Sequence, residues 1–169
     1  RRILIIGGVA GGASTAARAR RLDEHAHIIL FEKGPDPSFA NCGMPYYLGG
    51  QITQRAALSV QTPASLKARL NLDVRVKTEV TSIDRAAKTV AVTSLLTGET
   101  SVEPYDALVL SMGSAPFKPP IPGIDRPGCL ALRNLEDMDA IDRWLRETAA
   151  KKAVVAGGGF IGMEVAEQL

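Results

Sequence analysis

The run Arg2-Ile3-Leu4-Ile5-Ile6, followed by Gly7-Gly8-Val9-Ala10-Gly11-Gly12, leaves this chain few choices of fold. A short β-branched segment feeds a glycine-rich turn. Ala13–Leu22 then reads as an Ala/Arg-rich helix, and Ile28–Glu32 as a second strand closed by the turn signal Lys33-Gly34-Pro35. Strand, glycine turn, helix, strand is a βαβ unit, which demands a parallel sheet and places the chain among α/β proteins. Glycines in such a turn let the backbone approach a pyrophosphate held at the helix N-terminus. Glu32 stands 20 residues beyond Gly12, the distance expected of a carboxylate that binds a ribose hydroxyl. Against G-x-G-x-x-G, Gly7 and Gly12 fill the outer positions and Val9 replaces the middle glycine, while Gly8 and Gly11 keep the loop thin. The plainer reading of the same turn is a joint between strand and helix.

A second unit of this kind begins near the other end. Ala153-Val154-Val155-Ala156 reads as a strand, and Gly157-Gly158-Gly159-Phe160-Ile161-Gly162 completes G-x-G-x-x-G with a helix starting behind it. Two such units imply two dinucleotides, a far more specific signal than either motif alone.

Between them, residues 58–70 suggest a helix, with Thr62-Pro63 near its start and Lys67 and Arg69 near its end. Val74, Val76, Thr78 and Val80 alternate with Arg75, Lys77 and Glu79, the pattern of a half-exposed strand. Thr89–Thr93 and Ser101–Glu103 complete an antiparallel meander. Ala107–Leu110 reads as a fully apolar strand suited to a buried parallel position. Pro116, Pro119, Pro120, Pro122 and Pro127 mark a crossing between domains, which divides the chain into 1–117 and 118–169. Asn134 caps a helix with Leu135, Met138, Ile141 and Leu145 along one side.

The 169 residues are 46% hydrophobic and 22% charged, which fits a soluble globular protein, and a net charge of +2 argues for neither nucleic acid nor membrane. No apolar run reaches the roughly 18 residues of a membrane span. Arg1-Arg2 before an apolar stretch imitate a signal peptide, but glycines interrupt it at once and Arg18, Arg20 and Arg21 follow, so a cytoplasmic protein is expected. The absence of an initiator Met and the stop at Leu169 inside a helix suggest a piece of a longer protein. His25 and His27 lack a third ligand nearby and read as surface residues, so no metal is expected.

The two cysteines, Cys42 and Cys129, lie 87 positions apart, which is neither a disulfide framework nor a zinc site. Cys42 sits in Ser38-Phe39-Ala40-Asn41-Cys42-Gly43-Met44-Pro45-Tyr46-Tyr47, where Pro45 suits the first turn of a short helix. A thiol at a helix N-terminus is favoured as thiolate. Phe39, Tyr46 and Tyr47 could wall a site there, and Gly43 could admit a flavin. The competing reading is an inert buried cysteine. Ser14, Arg18 and Arg21, spaced i, i+4, i+7, share one helix face. That stripe suits an anionic, phosphate-bearing thiol substrate, or is simply a solvated cationic face.

Over its whole length the chain resembles the flavin-dependent pyridine nucleotide-disulfide oxidoreductases. It lacks a second cysteine near Cys42, so it is similar to their single-cysteine branch, and the Cys42 segment and Gly7–Gly12 are most similar to coenzyme A disulfide and persulfide reductases. The resemblance implies a three-layer, Rossmann-like FAD/NAD(P)-binding fold with a small antiparallel meander. Residues 1–117 would be the first FAD-binding segment, and 118–169 a linker with an incomplete start of the NAD(P)-binding domain. It implies that NAD(P)H reduces FAD, which reduces Cys42, the redox-active residue, which in turn reduces a coenzyme A disulfide or persulfide. Gly7, Gly8, Val9, Ala10, Gly11, Gly12, Glu32, Lys33, Val80, Ser111 and Gly113 would serve FAD, with Val80 reaching the adenine through its backbone. Gly157, Gly159, Phe160, Ile161, Gly162 and Glu164 would serve the nicotinamide cofactor. Ser14, Arg18, Arg21, Ser38 and Asn41 fall on coenzyme A positions, and Lys67 or Arg69 stands in for a basic contact expected near Leu70. A homodimer is implied for the full-length protein. The alternatives are an NADH oxidase or peroxidase cycling Cys42 through sulfenic acid, and a flavoprotein redox sensor without turnover.

Overall fold

β1 (Arg2–Ile6) is the strand on which the first half of the fold is built. It leads through the glycine turn into α1 (Gly11–Leu22), and β2 (His27–Phe31) returns parallel to it, Ile3 beside Ile28 and Ile6 beside Phe31. The chain then passes β3 (Ser38–Phe39), a 3-10 turn at Asn41–Gly43, α2 (Met44–Leu48), a second 3-10 turn at Arg55–Leu58, β4 (Ser59–Gln61) and α3 (Pro63–Leu70). β5 (Asp73–Arg75) pairs in parallel with β2. β6 (Thr78–Asp84), β7 (Thr89–Ser94) and β8 (Thr100–Pro104) form the antiparallel meander, and β9 (Ala107–Leu110) lies parallel to β1. The parallel sheet therefore runs β5-β2-β1-β9, while β3 pairs with β4. α4 (Leu135–Thr148) and α5 (Phe160–Gln168) complete the chain.

The computed structural model describes all 169 residues, which group into two units: Arg1–Phe39 with Val60–Gly113, and Ala40–Ser59 with Ser114–Leu169. In the first, successive residues of β1 and β2 feed opposite faces of the sheet, as the strand period of two requires. Ile5, Ile28 and Leu30 pack with Ala16 of α1, Leu66 of α3 and Leu72. Leu4, Ile29 and Phe31 pack with Val90 and Val92 of the meander. Helices, parallel sheet and meander are the three layers expected. Burying each of these large side chains contributes about 1.5–3 kcal/mol, enough to make the strand register costly to shift by one residue.

Charge joins the layers as well. Glu103 on β8 accepts hydrogen bonds from Arg2 on β1 and from Arg75 on β5, the latter at 2.5 Å, and its side chain is only 13% exposed. Arg75 also binds Asp73 at 2.8 Å and lies over the Phe31 ring. Burial works against the Arg75 charge, but the hydrogen bonds and charges of Asp73 and Glu103 outweigh it, so its pKa is raised.

In the second unit Asn134 caps α4 in a reciprocal capping box with Asp137, and Leu135 and Met138 are buried. Arg55 Nε reaches both carboxylate oxygens of Asp139 at 2.9 Å. Gly49, just after α2, packs against the end of α5 so closely that a Cβ there would lie 2.3 Å from Gln168 Oε1. Gln51 Nε2 donates to that same oxygen at 3.0 Å. The segment after β3 is thus held by α4 and α5, and by contacts it groups with residues beyond Ser114. No helix is long and apolar enough to cross a membrane.

Four expectations change. The helix expected over 58–70 begins only at Pro63, because Thr62, the residue before proline, is extended (φ −100°, ψ 163°) and caps it, and Ser59–Gln61 is a strand. The strand expected over 74–80 is broken at Lys77, whose left-handed φ of 49° divides it between β5 in the parallel sheet and β6 in the meander. Ala107–Leu110 is parallel as expected but forms the sheet's edge here and is half-exposed. Ala153–Ala156 is no strand: no other segment of the chain pairs with it, and Val154 is 95% exposed.

Candidate functional site

The first glycine turn is closed on itself. Gly7 has a φ of +89°, and a Cβ on Gly12 would lie 1.8 Å from the Gly7 carbonyl oxygen, so the first turn of α1 rests directly on the end of β1. A Cβ on Gly8 would meet the Pro37 carbonyl oxygen at 2.5 Å. A Cβ on Gly7 would lie 2.3 Å from the Ser111 carbonyl oxygen, and one on Gly11 would lie 3.2 Å from Ser111 Oγ, so Ser111 flanks the turn from the end of β9. Gly113, just beyond, has a φ of +70°. No side chain caps the N-terminus of α1 and no acid lies in its first turn. The result is a thin loop with uncapped helix amides, the cradle that a dinucleotide pyrophosphate requires.

The structure brings Glu32, Lys33 and Val80 to the same end of the sheet. The backbone oxygen of Glu32 accepts from Thr78 N at 3.0 Å, and Gly34 O accepts from Lys77 N at 3.1 Å, which ties the end of β2 to the start of β6. Lys33 Nζ pairs with Glu79 Oε1 at 2.7 Å, a partner that sequence reading did not foresee. The β6–β7 register shifts between Val80 and Ser82, a bulge that takes backbone beside Val80 out of the ladder. Glu32 itself is engaged, Oε2 accepting from Gly8 N and Oε1 from Gly34 N, both at 2.8 Å.

Ser14, Arg18 and Arg21 lie exposed on α1, and neither Arg18 nor Arg21 has an ion-pair or hydrogen-bond partner in the chain. Arg20, between them, is spent on structure. Its guanidinium donates to the carbonyls of Leu70, Asp23, Glu24 and Asn71, tying the C-terminal ends of α1 and α3 together. Lys67 reaches Asn71 Oδ1 at 2.7 Å, and Arg69 is exposed. His25 is exposed beside Glu24, as read from sequence.

Ser38 is buried on β3, whereas Asn41 and Cys42 are exposed in the 3-10 turn that leads into α2, with Pro45 in that helix's first turn. Cys42 is therefore not the buried residue that the competing reading of it expected. Cys129 is also free and exposed. Phe39 is buried and Tyr46 and Tyr47 are half-buried. Gly43 also packs closely within the chain: a Cβ there would meet Leu58 Cδ2 at 2.4 Å.

The second glycine turn repeats the closure of the first. Gly157 has a φ of +115°, and a Cβ on Gly162 would lie 2.4 Å from the Gly157 carbonyl oxygen. Gly158 and Gly159 face open space, and no side chain caps α5. Phe160 is 92% exposed, Ile161 is exposed, and Glu164 is half-buried one turn along.

Comparison with known proteins agrees with this geometry. The family model described as pyridine nucleotide-disulphide oxidoreductase matches residues 1–169. A coenzyme A disulfide reductase of Staphylococcus haemolyticus is 41% identical over 169 residues, covering 100% of this chain and 38% of that protein. The crystal structure of reduced CoADR-RHD from Bacillus anthracis is 50% identical with a TM-score of 0.96, over 99% of this chain and 30% of that one. A NAD-dependent persulfide reductase from A. fulgidus is 40% identical with a TM-score of 0.94, over 99% of this chain and 31% of that one. The chain thus spans well under half the length of these relatives. It belongs to the pyridine nucleotide-disulphide oxidoreductase family, and its two glycine turns fit the family's dinucleotides, FAD and NAD(P)H.

Proposed function

We propose that this chain is the core of a flavoenzyme that reduces coenzyme A disulfide, or a coenzyme A persulfide, with NAD(P)H through Cys42. The observation that carries the reading is an exposed free thiol in the turn that starts α2, four residues along the chain from Ser38. Relatives named coenzyme A disulfide reductase and persulfide reductase support it. Bound FAD supplies the path by which an electron pair from NAD(P)H reaches the thiol.

The chain's own residues have separate tasks. Gly7–Gly12 with Ser111 and Gly113 seat the FAD pyrophosphate, Glu32 and Lys33 face its ribose, and the Val80 backbone its adenine. Gly157, Gly159, Phe160, Ile161, Gly162 and Glu164 serve the nicotinamide cofactor. Ser14, Arg18, Arg21, Ser38 and Asn41 bind coenzyme A, whose phosphates match the two unpaired guanidiniums. The Cys42 thiolate attacks one sulfur of the disulfide and expels one coenzyme A thiolate, leaving a Cys42–coenzyme A mixed disulfide. Two electrons and a proton from NAD(P)H, with a second proton from solvent, then release the second coenzyme A thiol and restore Cys42. Assembly as a homodimer and a cytoplasmic location belong to the same reading.

The test is steady-state oxidation of NAD(P)H by the full-length protein with coenzyme A disulfide or with peroxide as acceptor. Turnover with the disulfide that is lost in Cys42→Ser is expected. Turnover with peroxide alone would transfer the assignment to the oxidase and peroxidase branch, and no turnover with either would leave a redox sensor.

A further inference from the structure

We infer that Glu32 is a positioning residue that sets the shape of the first glycine turn before any nucleotide arrives. This goes beyond its expected hydrogen bond to a ribose, and it rests on reading that turn as the FAD site. The carboxylate is bidentate towards the backbone: Oε2 holds the Gly8 amide and Oε1 the Gly34 amide, each at 2.8 Å. Gly8 stands inside the turn and Gly34 beyond β2, so one side chain fastens the glycine turn to the end of the neighbouring strand. Bonds from amides to a charged acceptor are about twice as strong as neutral ones. Both oxygens keep a second lone pair, so the strut leaves room for ribose hydroxyls.

Two consequences follow from the chemistry of the group. The Gly8 amide is committed to Glu32, so phosphate-binding donors must come from the residues after it, where the N-terminus of α1 is uncapped. Only a carboxylate offers two acceptors in this arrangement. Glutamine has one oxygen and one NH2 group, so one of the two backbone amides would face another donor. Aspartate keeps the charge but is one methylene shorter and cannot span Gly8 and Gly34 together. Glutamine can still bond to ribose hydroxyls, so Glu32→Gln separates the strut from the ribose contact.

The experiment uses the full-length holoenzyme, wild type, Glu32→Gln and Glu32→Asp, labelled with 15N-glycine. Amide proton shifts and hydrogen exchange are read at Gly8 and Gly34, with the rate of FAD release and the denaturation midpoint. The strut predicts an upfield move of one of the two amide protons in Glu32→Gln. It also predicts exchange there faster by roughly tenfold, the loss of one hydrogen bond to a charged group. FAD should leave faster while exchange elsewhere in β1, α1 and β2 is unchanged. A merely structural Glu32 would instead lower the midpoint and raise exchange across all three elements, with no selective shift at the two glycines, and that would overturn the inference. Unchanged Gly8 and Gly34 signals in Glu32→Gln would overturn it too, even if FAD binding weakened, because the residue would then act on the ribose alone. Wild-type protein that carried no FAD would contradict the proposed function alone, since the two amides report the strut from the polypeptide itself.

Discussion

Replacing Gly12 by alanine sets the first glycine turn against its own backbone. The new Cβ would stand 1.8 Å from the Gly7 carbonyl oxygen, with Gly7 C at 2.9 Å and Ile5 Cγ2 at 3.2 Å. An ordinary contact begins at 3.4 Å, so α1 and the end of β1 must separate by 1.6 Å, the difference between the two distances. Neither side can yield easily. The obstacle is backbone, Ile5 is fully buried, and Ala16 one turn along α1 is packed in the same cluster. Overpacking of this kind costs about 1–3 kcal/mol, and here it also splays the loop proposed to hold a pyrophosphate. Gly158→Ala is the control, because its Cβ meets nothing within 4 Å and should shift stability by less than about 0.5 kcal/mol. Urea denaturation and the flavin-to-protein absorbance ratio, measured on both variants of the full-length protein, provide the assay. Wild-type stability and flavin content in Gly12→Ala would refute the argument that the turn is closed by contact.

Other outcomes are equally definite. Glu103→Gln removes the charge shared by Arg2 and Arg75 and should cost about 1–3 kcal/mol by denaturation. Arg75 has a raised pKa, so its contribution is complete below the ordinary arginine range and lost only as pH rises beyond it. The stability difference between wild type and Arg75→Met should therefore be flat from pH 7 to about pH 10. Asn134→Ala removes the α4 cap and should cost about 1 kcal/mol in the same assay. On the proposed function, in which the exposed Arg18 and Arg21 bind phosphate and touch no reacting sulfur, Arg18→Ala with Arg21→Ala should raise KM for coenzyme A disulfide and leave kcat nearly unchanged.

What could be read in the sequence was whatever depends on local residue type. The strand–turn–helix–strand order, Pro45 in the first turn of α2, Asn134 as a cap and the meander after residue 78 all follow from short-range preferences. Relations between distant residues carried no such signal. Lys77 fits the alternation of a strand, but its left-handed backbone sends the chain from one sheet to another. Ala153–Ala156 has the composition of a strand, yet a strand is made by the hydrogen bonds of a neighbour. Around the candidate site, the glycine turns ahead of α1 and α5 were legible from residue type and spacing. The Glu32 bonds to Gly8 and Gly34, the Lys33–Glu79 pair and the docking of Gly49 on α5 were not, because each joins groups whose meeting only the fold determines. The packing of Gly43 against Leu58 is another such relation, since a Cβ at 43 would meet Leu58 Cδ2 at 2.4 Å.

The central claim is that Cys42 exchanges disulfides with coenzyme A. It is tested most directly by the intact mass of the full-length protein, purified without reductant, before and after dithiothreitol, with the modified residue mapped by peptide. A coenzyme A adduct on Cys42 that dithiothreitol removes is the predicted result. An oxygen adduct on Cys42 with no coenzyme A would contradict the claim and make the protein an oxidase or peroxidase.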